Sequence, residues 1–565
     1  LSYDNRLYSG SSINEIQLLA KSIDRDGNIT YNPASGGSDL DFYAKPGTIG
    51  AESFSVGSTE DRLYYQGQVN YARSFGKHDI TALALMSREQ STSGSEFPHY
   101  REDWVGRLTY GYDDRYFLEA NGAYNGSERF AAKYRFGFFP SLGLGWMLSN
   151  ESFIKQPWLD KLKLRYSIGT VGSDNFTSPR WSYNTQWGLD GGDIATFGTT
   201  YTNGAIGPGI VGGTYQQLKE LVIGNPDLQW EVSQKQNIGL DFSVFNGTFS
   251  GTVDVFQDDR SNVFMSASQR ASNIYAYFGA APVAANIGKV QNKGFEISVK
   301  LQHTWSGVHC WVDYSFSHSK ENVVFAEDPQ FRPAYQKSAG FPIGQPFKQV
   351  EQPGFNKSWD DLYGSVPYEA NAGRLPGDLA VIDFNSDGVI NSSDGFRYGF
   401  NSRPENTYNI TTGVDYKGLS LMVQFFGVYD VSQDFSSILG LSSDSRAPEA
   451  NILINNYWTP SNPNGVYAIS RAGGTGNGLT SSYRGKVFDG SYLRLKNVEL
   501  AYTFSGKWLK TLNMSSLKMS LSGNNLIFWS KMPDDKEAAV NIYDQTGTTL
   551  YPTVRIVKFG LNVTF

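Results

Sequence analysis

The chain has 565 residues, 15% of them aromatic, with 60 glycines and one cysteine, Cys310, which excludes both a disulfide framework and a cysteine-rich zinc site. A formal net charge of −7 with a pI near 5.5 argues against a nucleic-acid partner. Mean hydropathy is −0.38, and no apolar run reaches the roughly 18 residues of a transmembrane helix; a membrane barrel stays open, because its strands alternate lipid-facing with lumen-facing residues and average to a soluble value.

Residues 1–60 are polar and rich in Gly and Ser, with two or three strands that sequence alone places poorly. No signal peptide stands at Leu1, so the expectation is a mature product or a piece of something longer. From there the alternation becomes regular. Tyr65, Gly67, Val69 and Tyr71 oppose Gln66, Gln68 and Asn70, and after a turn at Phe75–His78 a strand runs to about Met86. EDWVGRLTYGYDDRYFLEANGAY reads as two strands joined at Asp113-Asp114. FGFFPSLGLGWML and KLKLRYSIGTVG follow, then KQNIGLDFSVF, GTFSGTVDVFQ, KGFEISVKLQ, VHCWVDYSFSHSK, NTYNITTGVDY and LSLMVQFFGV. In DGSYLRLKNVELAYTF, Val498, Leu500, Tyr502 and Phe504 alternate with polar or small residues, whereas Leu493 and Leu495 fall on the opposite parity. A bulge between Leu495 and Val498 is the expected cause. SLKMSLSGNNL and RIVKFGLNVTF close the chain, the latter with Val557, Phe559, Leu561, Val563 and Phe565 on one face.

The connections sort into short ones (near 76–78, 113–114, 149–160, 246–247, 305–307, 417–418 and 505–515) and long ones (near 91–101, 126–137, 172–232, 259–292, 321–406, 429–490 and 527–552). They alternate along nearly the whole chain. An antiparallel barrel with tight periplasmic turns on one rim and large extracellular loops on the other has this rhythm; a soluble sandwich has no reason to keep it. The fold class expected is therefore all-β: a large antiparallel transmembrane β-barrel with long extracellular loops, one barrel domain over residues 1–565. A plugged transporter has about 22 strands, of which about 15–18 fit in this chain.

Ordered short signatures then carry a resemblance. They are NYARSFGKHDITAL, RYFLEANGAYNGSERF, FGFFPSLGLGWMLSNESF, LKLRYSIGTVG, NPDLQWE, NIGKVQNKGFEI, GDLAVIDFNSDGVINSSD and DGSYLRLKNVELAYTF. Together they make the chain similar to the SusC/RagA-like TonB-dependent outer-membrane transporters of Bacteroidota. The resemblance implies a C-terminal portion of such a barrel, with the family's plug and TonB box not visible in this sequence. It also implies a SusD-like surface lipoprotein over the extracellular mouth, and energy from TonB acting through the plug region.

The sharpest local motif runs from Asp383 to Asp394. Asp383, Asn385, Asp387, Asn391 and Asp394 occupy positions 1, 3, 5, 9 and 12, Gly388 position 6, and the Val389 carbonyl position 7 of an EF-hand-like or dockerin-like Ca2+ loop. Ile390 would anchor the loop inward. The alternative is an Asx-turned loop without metal. His303, His309, His318 and Cys310 cluster in sequence, but adjacent strand residues face opposite sides and the spacing fits no zinc site. Glycines 473–478 lack the strand–helix context of a phosphate loop, and no paired carboxylates mark a glycosidase, so no enzyme is expected. Substrate contact falls to PRWSYNTQW and its flank, where Trp181, Tyr183 and Trp187 stand near Arg180, Asp190 and Asp193. Aromatic faces beside carboxylates suit sugar rings and also peptides; packing of the loop against a neighbour competes for the same rings.

The function expected is active import of an oligosaccharide or peptide across the outer membrane, with a SusD-like lid, TonB and outer-membrane lipid as partners. A structural or adhesive barrel is the second reading, and a secreted calcium- and glycan-binding β module the third.

Overall fold

The computed structural model describes residues 2–12, 15–23, 26, 28–32, 45–49, 53–176, 179–189, 218–270, 283–369, 374–435, 456–468, 487–511, 513–533 and 553–565. Sixteen strands form one antiparallel sheet, each paired with its neighbours in chain order. They are β1 (Ser2–Ser12), β2 (Ser53–Phe75), β3 (His78–Ser93), β4 (His99–Tyr112), β5 (Tyr116–Ser127), β6 (Phe136–Met147), β7 (Leu159–Ser173) and β8 (Glu231–Val244). The second half holds β9 (Phe249–Met265), β10 (Ala285–Trp305), β11 (Val308–Phe325), β12 (Asn406–Tyr416), β13 (Leu419–Tyr429), β14 (Tyr492–Phe504), β15 (Ser516–Ser530) and β16 (Ile556–Thr564). No described helix is long and apolar enough to cross a membrane, which says nothing of strands.

The predicted rhythm of connections holds. Residues 76–77, 113–115, 148–158, 245–248, 306–307, 417–418 and 505–515 turn at one rim; 94–98, 128–135, 174–230, 266–284, 326–405, 430–491 and 531–555 connect at the other. Tight turns at the first rim use left-handed backbone, with Asp113 and Asp114 at φ 52° and Ser306 and Gly307 at φ 51° and 82°. Several strands outrun their expected ends. β3 continues past Met86 to Ser93, and β9 and β10 shrink the 259–292 connection to 266–284. These extra turns of strand lie beyond the apolar band, where neither face needs to be apolar, so the period-two signal fades before the ladder does.

Cross-strand partners share a face, so the register separates the sheet's two sides. One side is polar. On it Gln66 donates to Gln68 (3.1 Å) and Gln68 to Asn70 (2.9 Å) along β2. Arg107 bonds Glu119 (3.0 Å), and Asn121 donates to both Glu119 (3.0 Å) and Ser141 (3.3 Å) across β4, β5 and β6. Arg165 joins Asp241 and Asp254 at 2.9 and 3.2 Å. Gln424 reaches Asn409 at 2.8 Å, and the amides of Asn497 and Asn524 extend that chain. The opposite side is apolar and exposed across the band above the short-turn rim. Val69, Leu108, Leu118, Leu144, Leu164, Ile238, Val255, Leu301, Val312, Val414, Leu421, Leu500, Leu521 and Phe559 all stand open there.

Aromatic rings border that apolar side at the short-turn rim: Phe75, Tyr112, Tyr116, Trp158, Phe245, Trp305, Tyr416, Tyr502 and Trp508 are exposed. Tyr116 and Trp146 stack at 6.5 Å, and both donate to Glu151 Oε1, at 2.7 and 3.1 Å. Arg115 lies 3.6 Å from the same carboxylate and 3.3 Å from Asp113, which also pairs with Lys77 at 3.0 Å. Donation by Tyr116, then by Trp146, holds the Glu151 carboxyl below the usual carboxylate range.

The expected bulge is present. On β14, Leu495 pairs with Phe425 and Ile527, and Asn497 with Gln424 and Asn524, so Lys496 is left without a place in either ladder. Asn525, opposite it on β15, has φ 54°. The slip in sequence parity is thereby undone in space: Leu495, opposite exposed Ile527, and Leu493, opposite exposed Trp529, share the face of Leu500 and Tyr502.

Candidate functional site

Two surfaces carry polar groups in this structure, the polar face of the sheet and the loops of the long-connection rim. The polar face combines cations and carboxylates that already satisfy each other, as in Arg165 with Asp241 and Asp254, or Lys518 with Glu499 at 2.9 Å. Networked side chains of this kind line an aqueous lumen without closing it.

The loops carry small cores of their own. Phe130, Phe139, Phe176, Leu228 and Trp230 are buried together, with Phe130 and Trp230 at 5.2 Å. Arg129 donates to the Asp174 and Phe176 carbonyls at 3.1 and 2.7 Å. Leu228 and Trp230 of NPDLQWE thus serve packing, while Asn225 of the same run donates to the Ala284 carbonyl (2.8 Å). A second core joins Phe435 and Met532 with Phe488 and Tyr492.

The predicted substrate segment divides. Arg180 donates to the Phe97 and Pro98 carbonyls and to Glu128 (2.8 Å), while Trp181 rests against Phe97 (6.0 Å) and beneath the Arg180 guanidinium (4.4 Å). Trp181, at φ 56°, therefore packs the loop onto its neighbour. Tyr183 is half-buried, and Trp187, in a two-stranded ribbon of residues Gln186–Leu189 and Leu218–Val222, remains 59% exposed. Asp190, Asp193 and the glycines 473–478 lie outside the described residues.

The Asp383–Asp394 loop is ordered through its own backbone. Asp383 accepts from the Asp387 and Gly388 amides (3.2 and 2.9 Å), Asn385 from Asp387 (3.0 Å), Asp387 from Val389 (2.9 Å) and Asn391 from Ser393 (2.7 Å). Asp394 is fully buried and accepts from Phe384 (2.8 Å) and Asn391 (2.7 Å). Gly388 has φ 87°, and Ile390, 2% exposed, packs with Val381, Tyr368 and Leu379. Among the described residues no three His, Cys, Asp or Glu side chains converge as a metal cluster. In the histidine–cysteine hairpin His303 faces Cys310 across β10 and β11, while His309 faces Thr304 on the other side.

Two features of the 326–405 loop had no sequence signal beyond their residue types. Arg374 stacks on the Tyr368 ring at 3.7 Å, and burial pushes that phenol up. Arg397 sits between Phe341 (6.0 Å) and Phe347 (5.6 Å), its buried Nε without a hydrogen bond, and burial pulls its guanidinium down.

The family model described as TonB dependent receptor-like, beta-barrel matches residues 1–526. TonB-dependent receptor P3 of Formosa agariphila is 24% identical over 547 residues, covering 92% of this chain and 51% of its own. TonB-dependent receptor SusC of Bacteroides thetaiotaomicron is 25% identical over 416 residues, 72% of this chain and 38% of its own. The chain thus spans about half the length or less of these curated relatives. The RagAB peptide importer in its open-open state matches with a TM-score of 0.60 at 18% identity, covering 84% of this chain and 52% of that one.

Proposed function

Because this chain belongs to the TonB-dependent receptor-like β-barrel family and forms outer-membrane barrel wall, we propose that it serves active, TonB-dependent import of an oligosaccharide or a peptide. A SusD-like surface lipoprotein closes the long-loop side, and TonB acts through a plug region. The observation that carries this reading is the division of the sheet into an apolar, exposed outer face and a hydrogen-bonded polar inner face, with all long loops at one rim. The names of the relatives, SusC and the RagAB peptide importer, support import and leave glycan and peptide both in play. Trp187, open on its ribbon, is the residue assigned to substrate contact, with half-buried Tyr183 four residues before it; Trp181 supports the loop. Asp190 is assigned to the same contact from its place in the sequence. The test is purification of the full-length protein with its partner from outer membranes, followed by identification of what is retained. A glycan or peptide carried with a surface lipoprotein supports the proposal; a barrel that is retained alone and restores no uptake when returned to a deletion strain overturns it.

The Asp383–Asp394 loop is proposed to take structural calcium through Asp383, Asn385, Asp387, the Val389 carbonyl, Asn391 and Asp394. Support comes from the order of oxygen donors, the positive φ of Gly388 and the inward anchor Ile390. Each carboxylate oxygen that accepts one backbone N–H keeps a second lone pair for an ion. Calcium should slow proteolysis within this loop, and Asp383→Asn should abolish that protection; equal cleavage rates with calcium and with chelator would refute it.

A further inference from the structure

The outer face changes character at one height. Climbing β10 from the short-turn rim, its outward residues are Leu301, Val299, Ile297 and Phe295, and then Lys293. On β11 they are Val312, Tyr314, Phe316 and His318, and then Lys320. Twelve residues at about 3.4 Å each, tilted about 45°, lift Lys293 roughly 29 Å above Trp305. A lipid band about 25 Å tall ends just below. Lys293 and Lys320 therefore stand where the headgroups of the outer leaflet lie.

These two lysines are direct cross-strand partners. Like charges directly opposite each other destabilise a sheet, and among the described residues neither ammonium makes a hydrogen bond or lies within ion-pair distance of a carboxylate, the Lys293 charge reaching Asp259 only from farther off. Both are exposed. Around them a cavity of about 420 Å³ opens on the same face, with Val255, Phe295 and His318 on its lower side and Gln291 and Asn322 above the two lysines. The nearest outward carboxylate, Asp259, is held by the Gln291 amide (2.6 Å) and by Gln257, and the Lys293 charge acts on it from beyond ion-pair distance. His318 gives its Nδ1 side to Asn406 (2.8 Å). At a corresponding height on β3, Arg88 faces Glu102, a complementary pair.

The geometry points to a lipid site: the Lys293–Lys320 pair takes a phosphate of a phosphorylated, multiply acylated glycolipid of the outer leaflet, of the lipid A type, and one acyl chain fills the cavity over Val255 and Phe295. A single phosphate between the two ammonium groups removes their repulsion and supplies charge-assisted hydrogen bonds. The lower, apolar side of the cavity, at Val255 and Phe295, continues the lipid-facing wall, so chain and headgroup arrive in the right order. A headgroup with several phosphates and a lower rank of acyl chains fits this arrangement better than a peptide or a soluble anion, which would have no use for the apolar floor. The site rests on the wall facing lipid and is independent of what the barrel imports.

The test uses full-length protein extracted in mild detergent, with bound lipid counted by native mass spectrometry after addition of phosphorylated lipid A, dephosphorylated lipid A or phosphatidylglycerol. Wild-type protein should retain phosphorylated lipid A at least tenfold more than the other two. The double variant Lys293→Gln/Lys320→Gln should lose that preference, and Arg88→Gln should keep it. Equal retention of dephosphorylated lipid A, stronger retention of phosphatidylglycerol, an unchanged double variant, or the same loss in Arg88→Gln would each overturn the site. Heat-modifiable migration of each variant reports whether the barrel has formed. Should the double variant fail that check, the wild-type preference among the three lipids decides the matter alone.

Discussion

Leu495 and Val498 stand on the same face of β14, three residues apart, because Lys496 is looped out between the aligned pairs Leu495–Ile527 and Asn497–Asn524. The extra residue keeps one apolar row continuous along the strand. Removing Lys496 should leave every other residue of β14 facing as before, and the barrel should still assemble. Removing Glu499 instead should turn Asn497 to lipid and Val498 to the lumen, a loss of at least about 2 kcal/mol for the buried amide. Urea unfolding of the two deletion variants in lipid vesicles measures the difference; equal stabilities would contradict the bulge's role.

Glu151 ties the short-turn rim together through Tyr116, Trp146 and Arg115. Its carboxyl is held below the ordinary range in the folded protein. The stabilisation is therefore complete above the unfolded carboxylate value and lost as pH falls through the depressed folded one. Glu151→Gln should unfold earlier than wild type at neutral pH and alike in strong acid, in thermal melts followed by tryptophan fluorescence.

Asp394 is fully buried and accepts from three backbone amides, those of Phe384 and Asn391 closely and that of Asn385 at 3.4 Å. Asp394→Ala takes the acceptor from all three, and the two closely bonded amides, those of Phe384 and Asn391, cost about 1–3 kcal/mol each. Limited proteolysis should find a new cleavage between residues 383 and 394 in this variant even in the presence of chelator, and the wall should remain resistant. Intact loops in Asp394→Ala would show that the carboxylate is not what orders the segment.

Arg180 and Trp187 lie close in sequence and are expected to behave oppositely. Arg180→Ala releases two carbonyls and Glu128, and should raise the rate of protease cleavage in the described part of the 174–230 loop roughly tenfold or more. Arg180→Lys should recover little of this, because an ammonium cannot span three acceptors as a guanidinium does. Trp187→Ala should leave protease resistance unchanged and lower uptake. A change in stability without a change in uptake would remove Trp187 from the substrate surface.

The wall was legible from sequence wherever one strand face meets lipid and the other a polar interior, since that contrast alone produces period two. Tyr65 to Tyr71 and Val557 to Val563 are such runs. Legibility ended where the contrast ends: beyond Met86 on β3 and over Asp258–Asn262 on β9, where both faces are polar, the ladder continues without a signal. The loop cores were hidden for a different reason. Phe130 meets Trp230 only because the wall brings distant residues side by side, and no local pattern records that. Trp181 and Trp187 look equivalent in PRWSYNTQW; the packing of Phe97 and Arg180 on Trp181 alone separates support from exposure.

Every neighbouring pair in the sheet is also consecutive in the wall, and pairs joined at the short-turn rim by two to four residues close at almost no entropic cost. The 326–405 connection carries the opposite burden, since its two strands must find each other across some eighty residues. The natural unit of growth is then the hairpin, not the strand. A wall built this way can lengthen or shorten by two strands without changing the side on which any later strand begins, so circumference is free to evolve in even steps while the membrane orientation of each loop is preserved.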